Sequence, residues 1–272
     1  MNMHSNNYGM VSVIMLSHNK ARYVEESVRS VIAQTYTNWE LLFVDDNSKD
    51  GTVSLLMELM DEGRSKKEKW AVERRIHVSQ TVAERGKSVI RSSMLKEACG
   101  RWIAFLDAGD VWAPDKLEKQ IAFMEENGYA FSYTQYGLIN RRSENMGVLI
   151  SGKAHVNHED MLKCCWPAYL TVMYDAEKVG LVRAKTVKEN NDYALWLNIS
   201  MKHDCHLLSE NLTTMRTPYG RFSRYIRTDR FKWRYEVYRK EEDLGPVISF
   251  LYTLRNGWYG IVKWWRYVKN ET

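Results

Sequence analysis

Trp102-Ile-Ala-Phe-Leu-Asp-Ala-Gly-Asp-Val-Trp112, followed by Ala113-Pro114-Asp115, decides how this chain folds. A short apolar run stops at two aspartates, and Pro114 sits where a helix can begin. The pattern predicts a buried strand that presents Asp107 and Asp110 at its C-terminal end. In open α/β sheets that edge is where ligands bind. Two carboxylates there suit a hard divalent cation, which in turn suits a diphosphate. The alternative is a strand-to-helix turn in which one aspartate only caps the helix.

Upstream of this stretch the same alternation repeats. Val11–Leu16 reads as a buried first strand, and Ser17-His18-Asn19 as the loop after it. Val24, Val28, Val31 and Ile32 form the stripe of an amphipathic helix. Trp39–Val44 is a second strand that ends in Asp45-Asp46-Asn47-Ser48. Asp50-Gly51-Thr52 supplies a turn and cap before the helical face of Leu55, Leu56, Leu59 and Met60. Ile76–Ser79 is a weak third strand, and Ser88–Ala98 a helix closed by Gly100. Such alternation implies a parallel, doubly wound sheet with right-handed crossovers. Downstream, the readings are a helix over Asp115–Asn127, a strand over Tyr129–Ile139 and an irregular polar segment over Arg141–His158. Ala168–Tyr174 reads as a strand, Asp192–Lys202 as a helix, and His206–Met215 as an edge strand.

The 272 residues can bury one substantial core, and 44% hydrophobic with 27% charged content is ordinary for a globular protein. Cys99, Cys164, Cys165 and Cys205 show no C-x-x-C spacing, which fits a reducing compartment. The polar N-terminus has no secretory signal pattern, and no apolar run approaches the roughly 20 residues of a membrane span. The net charge of +5 is uneven. From residue 211 onward there are 13 Lys and Arg against 6 Asp and Glu, whereas the rest of the chain holds 26 against 28. That asymmetry points to an anionic partner of the C-terminal segment.

Three ordered motifs carry a family resemblance: Val11-Ser-Val-Ile-Met-Leu-Ser-His-Asn-Lys20, Ser27 through Thr52 with its Asp45-Asp46 pair, and Ala104-Phe-Leu-Asp-Ala-Gly-Asp-Val-Trp112. Together they resemble the inverting, nucleotide-sugar-dependent family 2 glycosyltransferases, strongly over about residues 11–115 and more faintly to about 200. The resemblance implies an α/β GT-A (Rossmann-like) fold, with a mixed, mainly parallel sheet flanked by helices and a C-terminal helical extension. Residues 1–215 would form the catalytic domain, its nucleotide-sugar half at about 10–115 and its acceptor half at about 116–215. Residues 216–272 would be a basic aromatic extension.

The resemblance also assigns roles. Asp46 would hold the nucleotide base, usually uracil, with Asp45 supporting the loop, and Ser17 and His18 would contact the uracil. Arg91 would contact the nucleotide or anchor Asp107 through a bidentate pair. Arg85 and Lys87, beside Gly86, and Arg221 and Arg224 are candidate diphosphate contacts. Asp107 and Asp110 would hold Mn or Mg, although Gly109 stands where the family commonly has a further aspartate. Asn190-Asn-Asp-Tyr-Ala-Leu-Trp-Leu197 resembles the family's Glu-Asp-Tyr-x-Leu-Trp-Leu segment, which makes Asp192 the candidate general base and Trp196 a candidate acceptor contact. Asp192 also reads as a helix N-cap, and Trp196 as a core residue. His203 and His206 are weaker candidates for a third metal ligand.

The expected reaction is transfer of a hexose (glucose or galactose) from a UDP-sugar to a saccharide hydroxyl. The expected acceptor is a polyprenyl-diphosphate-linked O-antigen or related bacterial polysaccharide precursor. Gly257-Trp-Tyr-Gly-Ile-Val-Lys-Trp-Trp-Arg-Tyr-Val-Lys269 has the composition of an interfacial helix on an anionic membrane, which implies a cytoplasmic enzyme peripheral to the inner membrane. Packing on the protein is the alternative for that segment. A non-catalytic module that binds sugar nucleotide or membrane is the rival function, kept open by Gly109 and Asn191. A dinucleotide oxidoreductase lacks its Gly-x-Gly-x-x-Gly, and no nucleic-acid partner is expected of a slightly acidic body.

Overall fold

The computed structural model describes residues 8–84, 86–180, 182, 191–217 and 229–270. The first half alternates β1 (Val11–Ser17), α1 (Val24–Ile32), β2 (Trp39–Asp45), α2 (Thr52–Ser65), the single turn α3 (Lys69–Val72), β3 (Ile76–Gln80), α4 (Lys87–Glu97) and β4 (Trp102–Asp107). After it come β5 (Val111–Trp112), α5 (Lys116–Asn127), β6 (Phe131–Ile139), β7 (Asn145–Ile150), β8 (His155–Val156) and α6 (His158–Lys163). A 3-10 turn at Tyr169–Thr171 leads into β9 (Met173–Asp175) and α7 (Ala176–Val179). The last elements are α8 (Asn191–Ser200), β10 (Cys205–Arg216), α9 (Asp229–Lys240), α10 (Pro246–Tyr267) and β11 (Val268–Asn270).

Among the described residues these strands form one mixed sheet in the order β11-β7-β6-β9-β4-β1-β2-β3. β3, β2, β1 and β4 run parallel, and β9 is antiparallel to both β4 and β6. β1 and β2 are buried at every position, as parallel strands covered on both faces must be. The pleat divides their side chains between two cores. Val11, Val13 and Met15 join Val24, Val28, Val31, Leu56 and Leu59 on the α1–α2 side. Ile14 and Leu16 join Ile90, Met94, Leu95, Tyr193 and Trp196 on the α4–α8 side. Because β2 and β4 flank β1, the strand order reverses there, and a crevice opens at the C-terminal ends of β1 and β4.

Three readings of the second half need correction. Ala168–Tyr174 is mostly not strand: the run turns once as 3-10 helix, with Thr171 Oγ1 bonded to the Ala168 carbonyl, before the short β9. An apolar buried run does not by itself separate those outcomes. The segment Arg141–His158 contains β7 and β8 rather than irregular chain. His206–Met215 is no edge strand. β10 lies parallel to β6 and has β5 and β8 on its other side.

The C-terminal segment docks on the body. Asn256 of α10 donates to the hydroxyls of Tyr193 (3.0 Å) and Tyr238 (2.9 Å), and Lys263 Nζ donates to the carbonyls of Trp166 (2.5 Å) and Cys165 (3.2 Å). β11 then adds antiparallel to β7. The inward face of α10 buries Ser249, Thr253, Asn256 and Lys263 beside Tyr252, Tyr259 and Tyr267, which pack on the α4–α8 core. Its outward face carries Val247, Leu251, Leu254, Trp258, Ile261 and Trp265, all exposed.

Candidate active site

A cleft of about 710 Å³ opens over the β1–β4 crevice, and its walls include Ser17, His18, Lys20, Asp46, Glu84, Gly86, Asp107, Gly109, Asp110 and Arg216. The loop after β1 is tied to the loop after β2 by a lattice of hydrogen bonds. Asn19 N donates to Ser48 Oγ at 2.7 Å, Lys20 N to Thr52 Oγ1 at 2.9 Å, and Lys49 N to Asn19 Oδ1 at 2.9 Å. Asn19 and Asn47 adopt positive φ (50° and 58°), which asparagine accepts more readily than most residues.

The two aspartates at the end of β2 divide sharply. Asp45 is fully buried and accepts from Ser48 N, Ser48 Oγ and Gln80 Nε2, so it orders the turn. Asp46 borders the cleft, where it accepts from Thr81 Oγ1 (3.0 Å) and from the Gly86 amide (3.2 Å). Ser17 is buried at the cleft floor, and its hydroxyl has no hydrogen-bond partner among the described residues. An unpartnered buried hydroxyl is costly, which fits a site completed by a ligand. His18 Nδ1 lies 2.7 Å from the Asp46 carbonyl. A carbonyl only accepts, so Nδ1 carries the proton and Nε2 accepts from Asn19 Nδ2 at 3.0 Å.

Behind Asp107, Arg91 of α4 is buried and donates through one terminal nitrogen to that carboxylate (3.2 and 3.4 Å). Its guanidinium lies 3.9 Å from the ring centroid of Tyr169. Burial opposes the Arg91 charge, but Tyr169, Asp107 and Asp192 outweigh it and hold the pKa above the ordinary arginine value. Burial raises the Tyr169 hydroxyl above the usual tyrosine range. Asp192 stands in the first turn of α8, a position where the helix dipole favours a carboxylate. Its charge is felt by Arg91, by Tyr169 and by Cys165, whose thiol is pushed up to about 12, chiefly by burial. Arg91 thus pairs with the strand-end carboxylate of Asp107 and is also raised by the charge of Asp192.

The turn after β4 depends on Gly109, whose φ of 123° lies outside the range most side chains accept. Its amide donates to Ser27 Oγ at 2.8 Å. Arg216, at the end of β10, clamps the same turn. Its backbone amide donates to Asp110 Oδ1 and its Nε to the Gly109 carbonyl, both at 2.8 Å. Its other nitrogens reach Asn140 O, Ser143 Oγ and Glu26 Oε2, and the guanidinium covers Tyr23 at 4.4 Å. Asp107 and Asp110 both border the cleft, and no cluster of three His, Cys, Asp or Glu forms among the described residues. Two carboxylates that leave the remaining positions to phosphate oxygens and water are a donor set that Mg or Mn accepts.

Other predicted residues lie elsewhere. Trp196 is fully buried against Phe105, Phe131 and Tyr169, so its ring presents no surface to the cleft and serves the core instead. His206 stacks on Tyr129 with centroids 3.6 Å apart and is not among the residues that line the cleft. Arg85, Arg221 and Arg224 fall outside the described residues, as does the side chain of Lys87. Sequence reasoning missed Lys20, Tyr169 and the clamp formed by Arg216. Lys20 closes the first motif and was within reach. Arg216 is one arginine among several in its segment, and nothing local marks it.

The model of the family described as Glycosyl transferase family 2 matches residues 12–164. A putative teichuronic acid biosynthesis glycosyltransferase of Bacillus subtilis is 37% identical over 71% of this chain and 73% of its own length. A UDP-Glc:alpha-D-GlcNAc-diphosphoundecaprenol beta-1,3-glucosyltransferase of Escherichia coli is 32% identical over 88% of this chain and 87% of its own. Among solved structures, S. aureus TarS in complex with UDP-GlcNAc superposes with a TM-score of 0.65 at 19% identity, over 89% of this chain and 71% of that one. That likeness is one of fold, the GT-A arrangement.

Proposed function

This chain belongs to glycosyl transferase family 2, and we propose that it moves a hexose with inversion from a UDP-sugar to a hydroxyl of a saccharide carried on a polyprenyl diphosphate. The observation that carries the reading is one cleft lined by Asp46, Ser17 and His18 together with Asp107 and Asp110. Glucose or galactose is the favoured donor sugar. The Escherichia coli relative, by its name a glucosyltransferase for a diphosphoundecaprenol-linked sugar, supports both the donor and the acceptor class.

In this mechanism the Asp46 carboxylate accepts the N3–H of uracil, and the Ser17 hydroxyl and the His18 ring complete the base pocket. Asp192 takes the proton of the acceptor hydroxyl as that oxygen attacks C1 from the face opposite the leaving diphosphate. Arg91 keeps Asp107 in place through its hydrogen bonds. Asp107 and Asp110 would hold a divalent Mn or Mg ion, which would supply positive charge for the departing diphosphate.

The outward stripe of α10 extends the proposal to localisation. Its leucine, isoleucine and tryptophan side chains stand on a basic segment, and no helix among the described residues is long and apolar enough to cross a membrane. Such a face suits shallow insertion into an anionic bilayer surface, which brings the cleft to a lipid-borne acceptor on the cytoplasmic side of the inner membrane.

The test is Asp192→Asn, assayed for UDP release with a lipid-diphosphate-linked saccharide and, separately, for UDP affinity. Loss of a general base predicts turnover lower by about 10²–10⁴-fold with UDP binding nearly unchanged. Retained turnover, or loss of UDP binding, would remove Asp192 from that role.

A further inference from the structure

The cleft contains more positive charge than the metal motif explains, and most of it is committed to the protein. The Arg216 guanidinium is occupied by Gly109 O, Asn140 O, Ser143 Oγ and Glu26. Arg141 interacts within the protein, and Arg22 lies 5.6 Å from the Tyr23 ring centroid. Lys20 differs. Its ammonium makes no hydrogen bond or ion pair with any described residue, although Asp107 and Asp110 border the same cleft.

The root of that side chain is rigid. Lys20 N is held by Thr52 Oγ1, and the Lys20 carbonyl accepts from the amides of Tyr23 and Val24 at the start of α1. The other end reaches the turn after β4. A Cβ placed on Gly109 would lie 3.9 Å from Lys20 Nζ. The space where a side chain at position 109 would begin is therefore bordered by a lysine head.

We propose that Lys20 binds the diphosphate of the donor, its ammonium taking the oxygens of the phosphate that leaves with the nucleotide. The inference rests on the glycosyl-transfer reading and deepens it by assigning the leaving-group contact. The C1–oxygen bond to the β-phosphate breaks and its electron pair stays on that oxygen, beside the lysine. The acceptor oxygen forms the new bond to C1, and its proton goes to Asp192. Lysine serves as a compact point charge for phosphate. A cation beside Gly109 reduces the charge that a metal must supply, so UDP binding persists without divalent ions.

The experiment is calorimetric titration of UDP and of uridine in EDTA into the wild type, Lys20→Met and Lys20→Arg. The expected result is UDP binding by the wild type in EDTA, weakened about tenfold or more in Lys20→Met, with uridine unaffected. Lys20→Arg recovers part of the loss. Equal UDP affinity in Lys20→Met and wild type would overturn the assignment, as would an equal loss of uridine binding, which marks a distorted loop. A parallel titration with a short polyprenyl diphosphate separates the two diphosphate sources: an effect on that ligand alone would also overturn it. If the wild type binds neither UDP nor uridine, with or without Mn, the nucleotide-site reading itself fails.

Discussion

Arg91 has three neighbours at once: Asp107 by hydrogen bond, Tyr169 by stacking, and Asp192 through its charge. A lysine cannot reproduce a planar fork that stacks and pairs together. Arg91→Lys should therefore lower kcat about tenfold or more with a small change in Tm, and a wild-type kcat would show that the link is dispensable. Lys116 presents the opposite situation. It is fully buried, its Nζ has no hydrogen-bond partner among the described residues, and only the Trp112 ring, 4.0 Å away, faces the charge. Burial lowers its pKa well below the ordinary lysine value. The unfolded chain takes that proton near pH 10.4, so the stability contribution is complete above about that value and is lost as pH falls toward the folded pKa. Between about pH 8 and 10, urea unfolding of the wild type should gain stability relative to Lys116→Met; parallel curves would contradict this. Sequence alone pointed to the carboxylates, because their motifs are contiguous. It did not reveal Tyr169 or Arg216, which reach the site through tertiary packing and leave no local pattern.

At the scale of elements, the turn between β4 and β5 depends on a backbone conformation. Gly109→Ala places a side chain at φ 123°, a strain of about 1–2 kcal/mol, and displaces the Asp107–Asp110 pair. Chemical denaturation should report that loss together with reduced turnover, and an unchanged stability would show that the turn tolerates the side chain. The parallel strands β1, β2 and β4 were legible because continuous apolar runs ending in polar loops have few other readings. β10 was misread for a definite reason. Register shifts between Leu208, Asn211 and Thr213 break its alternation, and pairing on both sides blurs the contrast that marks an edge. The interfacial helix expected over Gly257–Lys269 is the second half of the longer α10, which starts at Pro246 and runs through Gly257 and Gly260, both with open space around their Cβ positions.

Across the whole molecule, the C-terminal helix departs from the usual rule: it buries polar residues and tyrosines against the protein and leaves an aliphatic and tryptophan stripe toward solvent. Asn256 and Lys263 tie the inward side to the body by hydrogen bonds, and the outward stripe stays exposed. Trp258 and Trp265 are 65% and 85% exposed, a large cost in water that a lipid surface relieves. Leu254→Ser combined with Trp258→Ser should abolish co-sedimentation with vesicles rich in anionic lipid while Tm stays nearly constant. Retained sedimentation would exclude the stripe as the contact, and a wild-type dimer dissociated by the same changes would assign it to a second copy.

The central claim is that the β1–β4 crevice is a uridine diphosphate site read by Asp46. The most direct measurement is calorimetric titration of UDP in the presence of Mn, with wild type and Asp46→Ala side by side. The account predicts saturable binding by the wild type, weakened about tenfold or more when the carboxylate that accepts the uracil N3–H is removed. No binding by the wild type, or equal binding by both proteins, would contradict it.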